Sequence, residues 1–155
     1  MVTEINPVYY EESSMAKNIS KVTINAPANK VWDALTKPEL VKQWQYGSNL
    51  FTDWQVNSDI SFRSEWEGNV YEQWGKVLEV VPHKLIRYSL FAPRPGLEDK
   101  PENYFVMSYI LNEKEGSTLL SIEQEDNRPG TGVEESYDED EQSVLTVLKK
   151  LVEAK

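Results

Sequence analysis

Cysteine is absent from this 155-residue chain, and histidine occurs once, at His83. The first absence excludes disulfides, thiolate zinc sites and a cysteine nucleophile. The second excludes a multi-histidine metal centre and leaves a Ser-His-Asp arrangement only through His83. That residue stands in Val81-Pro82-His83-Lys84-Leu85, which reads as an exposed turn between two strands. Cations are in deficit too: 16 Lys and Arg face 26 Asp and Glu, for a net charge of −10. Nucleic acids are held by neutralising phosphates, so no nucleic-acid partner is expected, and no anionic membrane surface either. No apolar run reaches the roughly 18 residues of a membrane-spanning helix, so membrane insertion is not expected. Residues 1–14 have neither the basic start nor the apolar stretch of a secretory signal, and a cytoplasmic location is the default. There is no Gly-rich phosphate loop, metal motif or nucleotide fingerprint, and no cofactor is expected.

The length suits one domain, and 39% hydrophobic residues suit a packed core. Residues 1–14 read as a partly disordered N-terminal extension and residues 15–155 as the domain. Residues 19–25 alternate and are β-branched, which predicts a strand. Residues 28–35 and 39–44 read as two short helices, the second started by Pro38. A train of strands follows at 51–56, 59–66, 70–81, 85–91, 103–111 and 117–125, joined by short turns. Trp54 and Val56 share a face of the first of these. Residues 133–153 lack Gly and Pro and carry Val144, Leu145, Leu148, Leu151 and Val152 at helical spacing. They predict one long C-terminal helix whose first half is acidic. That half reads as a solvated helix start or, less blandly, as a dock for a basic partner. The fold class is therefore α+β: a curved antiparallel sheet of about six or seven strands, its apolar face covered by the last helix.

Five Trp and eight Tyr are many for this length. Trp44, Phe62, Trp66, Trp74, Tyr88 and Tyr109 are candidate walls of a cavity between sheet and helix, with Val144, Leu148 and Leu151 as its lid. The competing reading is that they fill the core. The facing of Trp74 turns on the strand 70–81. Val70, Trp74, Leu78 and Val80 share one side and Tyr71, Val77 and Val81 the other, unless a bulge switches them. Glu72 is either an exposed strand carboxylate or a polar group aimed at the ligand. No acid–base pair stands out, so an enzyme is not expected.

Several strings carry a resemblance when taken in order. They are Val22-Thr23-Ile24-Asn25-Ala26-Pro27, Val31-Trp32-Asp33-Ala34-Leu35-Thr36, Pro38-Glu39-Leu40 with Trp44, Asp53-Trp54, Gly75-Lys76-Val77-Leu78-Glu79-Val80, Leu85 to Phe91, and Gly116-Ser117-Thr118. Together they resemble the SRPBCC (START/Bet v 1-like) superfamily, over residues 17–153. Within it they look most like the family named for the C-terminal domain of the activator of the Hsp90 ATPase. The resemblance implies a helix-grip fold and a small apolar ligand such as a lipid, hormone or polyketide. It implies, as alternatives, regulation of an Hsp90-type chaperone or, at lower weight, cyclase or hydrolase chemistry. An edge strand would let two copies pair as a homodimer. One departure stands out: relatives often carry a large apolar residue one turn before the Val-Leu pair, where this chain has Asp138-Glu139-Asp140-Glu141. Either the helix starts late or a carboxylate faces the cavity mouth.

Overall fold

The computed structural model describes residues 16–45, 47–126, 133–137 and 144–154. The predicted extension, residues 1–14, lies outside them. Strand β1 (Ala16–Ile24) leads through Ala26-Pro27 into helices α1 (Ala28–Thr36) and α2 (Pro38–Trp44). One proline separates the two helices. A residue before proline is barred from the helical region, so Lys37 is extended (φ −85°, ψ 123°) and ends α1, while Pro38 starts α2. Pro27 offers α1 no capping side chain. Glu113, from a distant strand, does so instead, its Oε1 accepting the Ala28 N–H at 2.7 Å. At the other end, two indoles satisfy α1 carbonyls: Trp44 Nε1 donates to Ala34 O (2.7 Å) and Trp54 Nε1 to Thr36 O (3.0 Å).

Strands β2 (Asn49–Phe51), β3 (Asp59–Trp66), β4 (Asn69–Val81), β5 (Leu85–Leu90), β6 (Phe105–Lys114) and β7 (Ser117–Asp126) form antiparallel neighbours. The sheet has eight strands in the order β2-β3-β4-β5-β6-β7-β1-β8. The inner face carries Ile60 and Phe62 of β3, Val77 of β4, Ile86, Tyr88 and Leu90 of β5, Tyr109 and Leu111 of β6, and Leu120 of β7, all buried. It is covered by α1, α2 and helix α3 (Val144–Glu153), whose Leu145, Leu148 and Val152 pack into the same core as Val22 and Ile24 of β1. This is a helix-grip architecture.

Two expected elements differ. Residues 51–56 are not a strand: pairing with β3 ends at Phe51. Thr52 Oγ1 then accepts the Trp54 N–H and Asp53 Oδ1 the Gln55 N–H. Trp54 (φ 60°) and Asn57 (φ 75°) take left-handed conformations. Local side-chain bonds have outcompeted the ladder. The C-terminal helix is also shorter than expected, because Val133–Tyr137 form β8, parallel to β1. Val133 and Tyr137 alone would give a helix over residues 133–143 little to bury. The free edge of β1 offers that backbone a hydrogen-bonded ladder instead. Asp138 to Glu141 lie outside the described residues.

The far end of α3 is pinned to β1. Lys149 Nζ donates to Thr23 O (2.8 Å) and to Glu153 Oε2 (2.6 Å), and Glu153 Oε2 also accepts the Asn25 N–H (2.7 Å). Desolvation pushes the Glu153 carboxyl up, but the Asn25 amide and the Lys149 ammonium outweigh it and hold the group below its ordinary 4.5. A depressed carboxylate stabilises the fold above its unfolded-state pKa, and the stabilisation is lost as pH falls through the folded value. Glu153→Gln is therefore expected to cost about 1 kcal/mol at neutral pH. Urea titrations should show that gap to the parent closing below 4.5. A gap that widens on acidification would contradict the assignment.

Candidate functional site

Beneath the first turn of α3 the core is hollow. A cavity of about 510 Å³ lies between the inner face of the sheet, the end of α2 and the start of α3. Its apolar walls are Trp44, Phe62, Leu90, Phe105, Met107 and Ile122, closed by Val144 and Leu145. Neighbouring strands position these residues through register: Phe62 pairs with Gln73, Leu90 with Phe105, Tyr88 with Met107, and Tyr109 with Ile122, so all share the inner face. Polar groups punctuate the wall, namely Gln45 and Ser48 after α2, Ser64 and Gln73 on β3 and β4, and Gln124 and Ser20 on β7 and β1.

At the centre stand two tyrosines. Tyr88 and Tyr109 are 2% and 3% exposed, and their hydroxyls lie 2.6 Å apart in a shared hydrogen bond. Their rings meet edge to face (5.6 Å, 88°), and Phe62 packs on Tyr88 at 5.7 Å. Burial pushes the Tyr88 hydroxyl well above 10.0, and Tyr109 adds to the rise. Burial also raises Tyr109, against opposing hydrogen bonds with Tyr88 and Gln45. Both are neutral phenols at any physiological pH. Tyr88→Phe or Tyr109→Phe leaves one hydroxyl buried without its mate, at an expected cost of about 1–2 kcal/mol each. The double variant should lose less than the sum, with a coupling of about 1 kcal/mol in a denaturation cycle. Additive losses would mean that the pair is not formed.

The structure brings five of the nine expected wall residues together: Trp44, Phe62, Tyr88, Tyr109 and Val144. Leu148 is fully buried in the filled part of the core, one turn along α3. Leu151 borders a separate groove of about 150 Å³ beside Lys30, Asp33 and Leu40. Trp66 is 67% exposed at the end of the β3–β4 hairpin. Trp74 pairs with Ser61 on the outer face. The β4 bulge does occur, between Val77 and Glu79, so Tyr71, Gln73, Val77 and then Val80 turn inward. Glu72 is exposed on the outer side, opposite Arg63. His83 occupies a left-handed turn position (φ 67°) with its ring against Trp32 at 5.7 Å. Gln45, Gln73 and Gln124 were not foreseen. For Gln124 the signal was present in the alternation Leu120, Ile122, Gln124.

A larger hollow, about 810 Å³, lies on the outer face beside Trp74 and Tyr104. Its polar groups largely satisfy one another. Lys76 pairs with Asp59 at 2.7 Å, and Asp99 accepts from Trp74 Nε1 (3.1 Å) and Tyr104 (2.7 Å). The inner cavity differs in its uncharged described walls and its central pair of phenols. Among the described residues no cluster of three His, Cys, Asp or Glu side chains is placed to hold a metal, and no helix is long and apolar enough to cross a membrane.

No curated protein matches this chain. Among solved structures, a Cytophaga hutchinsonii protein studied in solution is 32% identical, with a TM-score of 0.59 over 88% of this chain and 84% of that one. The Aha1 dimer of Colwellia psychrerythraea is 17% identical over 88% and 96% (TM-score 0.59). An HSP90 activator of Plasmodium falciparum is 18% identical over 75% and 76% (TM-score 0.57). These last two likenesses show the fold alone. The family model described as "Activator of Hsp90 ATPase homolog 1-like protein" matches residues 25–153, most of the chain, and the chain belongs to that family.

Proposed function

We propose that the protein binds a small apolar molecule in the cavity between the sheet and α3. The observation that carries this reading is the hollow of about 510 Å³ left beside an otherwise filled core. Empty apolar space forfeits dispersion contacts that an occupant would restore. A ligand that gives up about 200 Å² of apolar surface to these walls gains about 5 kcal/mol, less the cost of its immobilisation. Binding rather than turnover is the activity, because the central hydroxyls are neutral phenols with no partner base on the described walls. The test is titration with N-phenyl-1-naphthylamine, a neutral fluorescent dye. Saturable binding is expected, and Ser64→Trp, which fills the cavity from β3, should abolish it. Dye binding that is absent, or untouched by that substitution, would overturn the reading.

Family membership and the likeness to an HSP90 activator support a second reading, stimulation of an Hsp90-type ATPase in the cytoplasm. An excess of the protein should then raise the ATPase rate of the host's chaperone, and an unchanged rate removes the idea. A homodimer is supported by the dimeric Colwellia relative and is checked by analytical ultracentrifugation.

A further inference from the structure

We infer that the ligand of the inner cavity is uncharged and presents a neutral hydrogen-bonding group, such as a hydroxyl, ketone or amide, to Tyr88 and Tyr109. This rests on the receptor reading above and adds the chemical class of the ligand.

Charged residues make up 27% of the chain, yet not one of the described wall residues is charged. Every polar group among these described residues is a neutral amide or hydroxyl. The two most buried, Tyr88 and Tyr109, are held as neutral phenols. A carboxylate brought to that depth would lose its hydration and meet no cation among the described wall residues, and an ammonium would meet no carboxylate among them. The opposite pose fails for another reason. If a charged head stayed at the exposed rim beside Gln73 and Tyr71, the alkyl tail would lie against the phenols. Two hydroxyls hold two protons, and their shared bond at 2.6 Å uses one. Gln45 bonds Tyr109 but not Tyr88, so when Tyr109 donates within the pair the Tyr88 proton would face hydrocarbon, the costly case of a buried donor left unmade. A neutral oxygen at the tyrosine pair removes both penalties. It accepts that proton, and the wall amides supply further donors and acceptors.

The experiment compares decan-1-ol, decanoate and decylammonium, equal in chain length and different in charge, by isothermal titration calorimetry. At about pH 8, where decanoate is ionised, the alcohol should bind about tenfold more tightly than either ion. Near pH 5, where a carboxylic acid begins to protonate, the gap to decanoate should narrow while the alcohol's affinity holds. The double variant Tyr88→Phe/Tyr109→Phe should lose the alcohol's advantage. Gln124→Lys, which places a cation on the wall without touching the pair, should make decanoate the preferred ligand. Decanoate or decylammonium binding as tightly as the alcohol at about pH 8, while the dye still reports a working cavity, overturns the inference and leaves the receptor reading standing. An alcohol preference that survives loss of both hydroxyls also overturns it. If neither the dye nor any of the three probes binds, the receptor reading itself falls.

Discussion

Gly75→Ala is expected to disrupt the join between β4 and β5 and to cost about 3 kcal/mol or more. The reason is contact, not backbone conformation. A Cβ built on Gly75 would lie 1.9 Å from the Ser89 carbonyl oxygen, 2.5 Å from its carbon and 3.0 Å from the Leu90 nitrogen. These are backbone atoms of the neighbouring strand, so no rotamer change relieves the clash. The ladder is irregular here. Trp74 bridges Phe91, Val77 pairs with Tyr88, and between them the Lys76 N–H donates to Ser89 Oγ at 3.1 Å instead of to a carbonyl. A methyl group would separate the strands where their hydrogen bonding is already thinnest. Gly68 makes the contrast: its φ is +80° and nothing lies within 4 Å of an added Cβ. Gly68→Ala should therefore cost only about 1 kcal/mol, from the left-handed backbone alone. Urea midpoints of the two variants decide the point, and a Gly75→Ala midpoint no lower than that of Gly68→Ala would refute it.

Leu148→Ala is expected to lower stability by about 3 kcal/mol, or the melting midpoint by about 10 °C. Leu148 is wholly buried, and α3 covers the sheet mainly through it, Leu145 and Val152. Leu148 stands in the filled part of the core, so truncation would leave a void among close-packed neighbours. Lys150, exposed on the same helix, supplies the control: Lys150→Ala should change the midpoint little. Equal midpoints for the two variants would mean that α3 is not the clamp that the packing describes.

How far the residues alone reveal this architecture depends on which force sets each element. Strands β3 to β7 are legible because alternation, Gly and Pro punctuation and burial agree. Asp59–Trp66 matches its expected bounds at both ends. The break between α1 and α2 is legible because Pro38 dictates it. Loop 52–58 is not, since Asp53-Trp54-Gln55-Val56 alternates like a strand while its side-chain caps act only locally. Strand β8 is invisible for the converse reason: its place comes from the unpaired edge of β1, more than a hundred residues earlier. The candidate site divides the same way. Phe62, Tyr88 and Tyr109 follow from parity within single strands. Trp74 and Trp66 mislead, because large aromatics suit a wall but their facing depends on register, and Trp66 stands exposed at the end of its hairpin. That Tyr88 and Tyr109 would touch required the β5–β6 pairing, which sets Ile86 opposite Tyr109 and Tyr88 opposite Met107 and brings the phenols together on the diagonal.

The position of β1 between β7 and β8 also governs how the chain assembles. Ala16 pairs with Asp126 and Lys17 with Val133, so this strand waits for partners synthesised about a hundred residues after it. The hairpins of β3 to β7 close over short loops and are free to form early, while both flanks of β1 are loop closures spanning most of the polypeptide. Such long-range closures are slow. The β1 segment, Ala16–Ile24, is consequently the stretch most exposed to mispairing during synthesis.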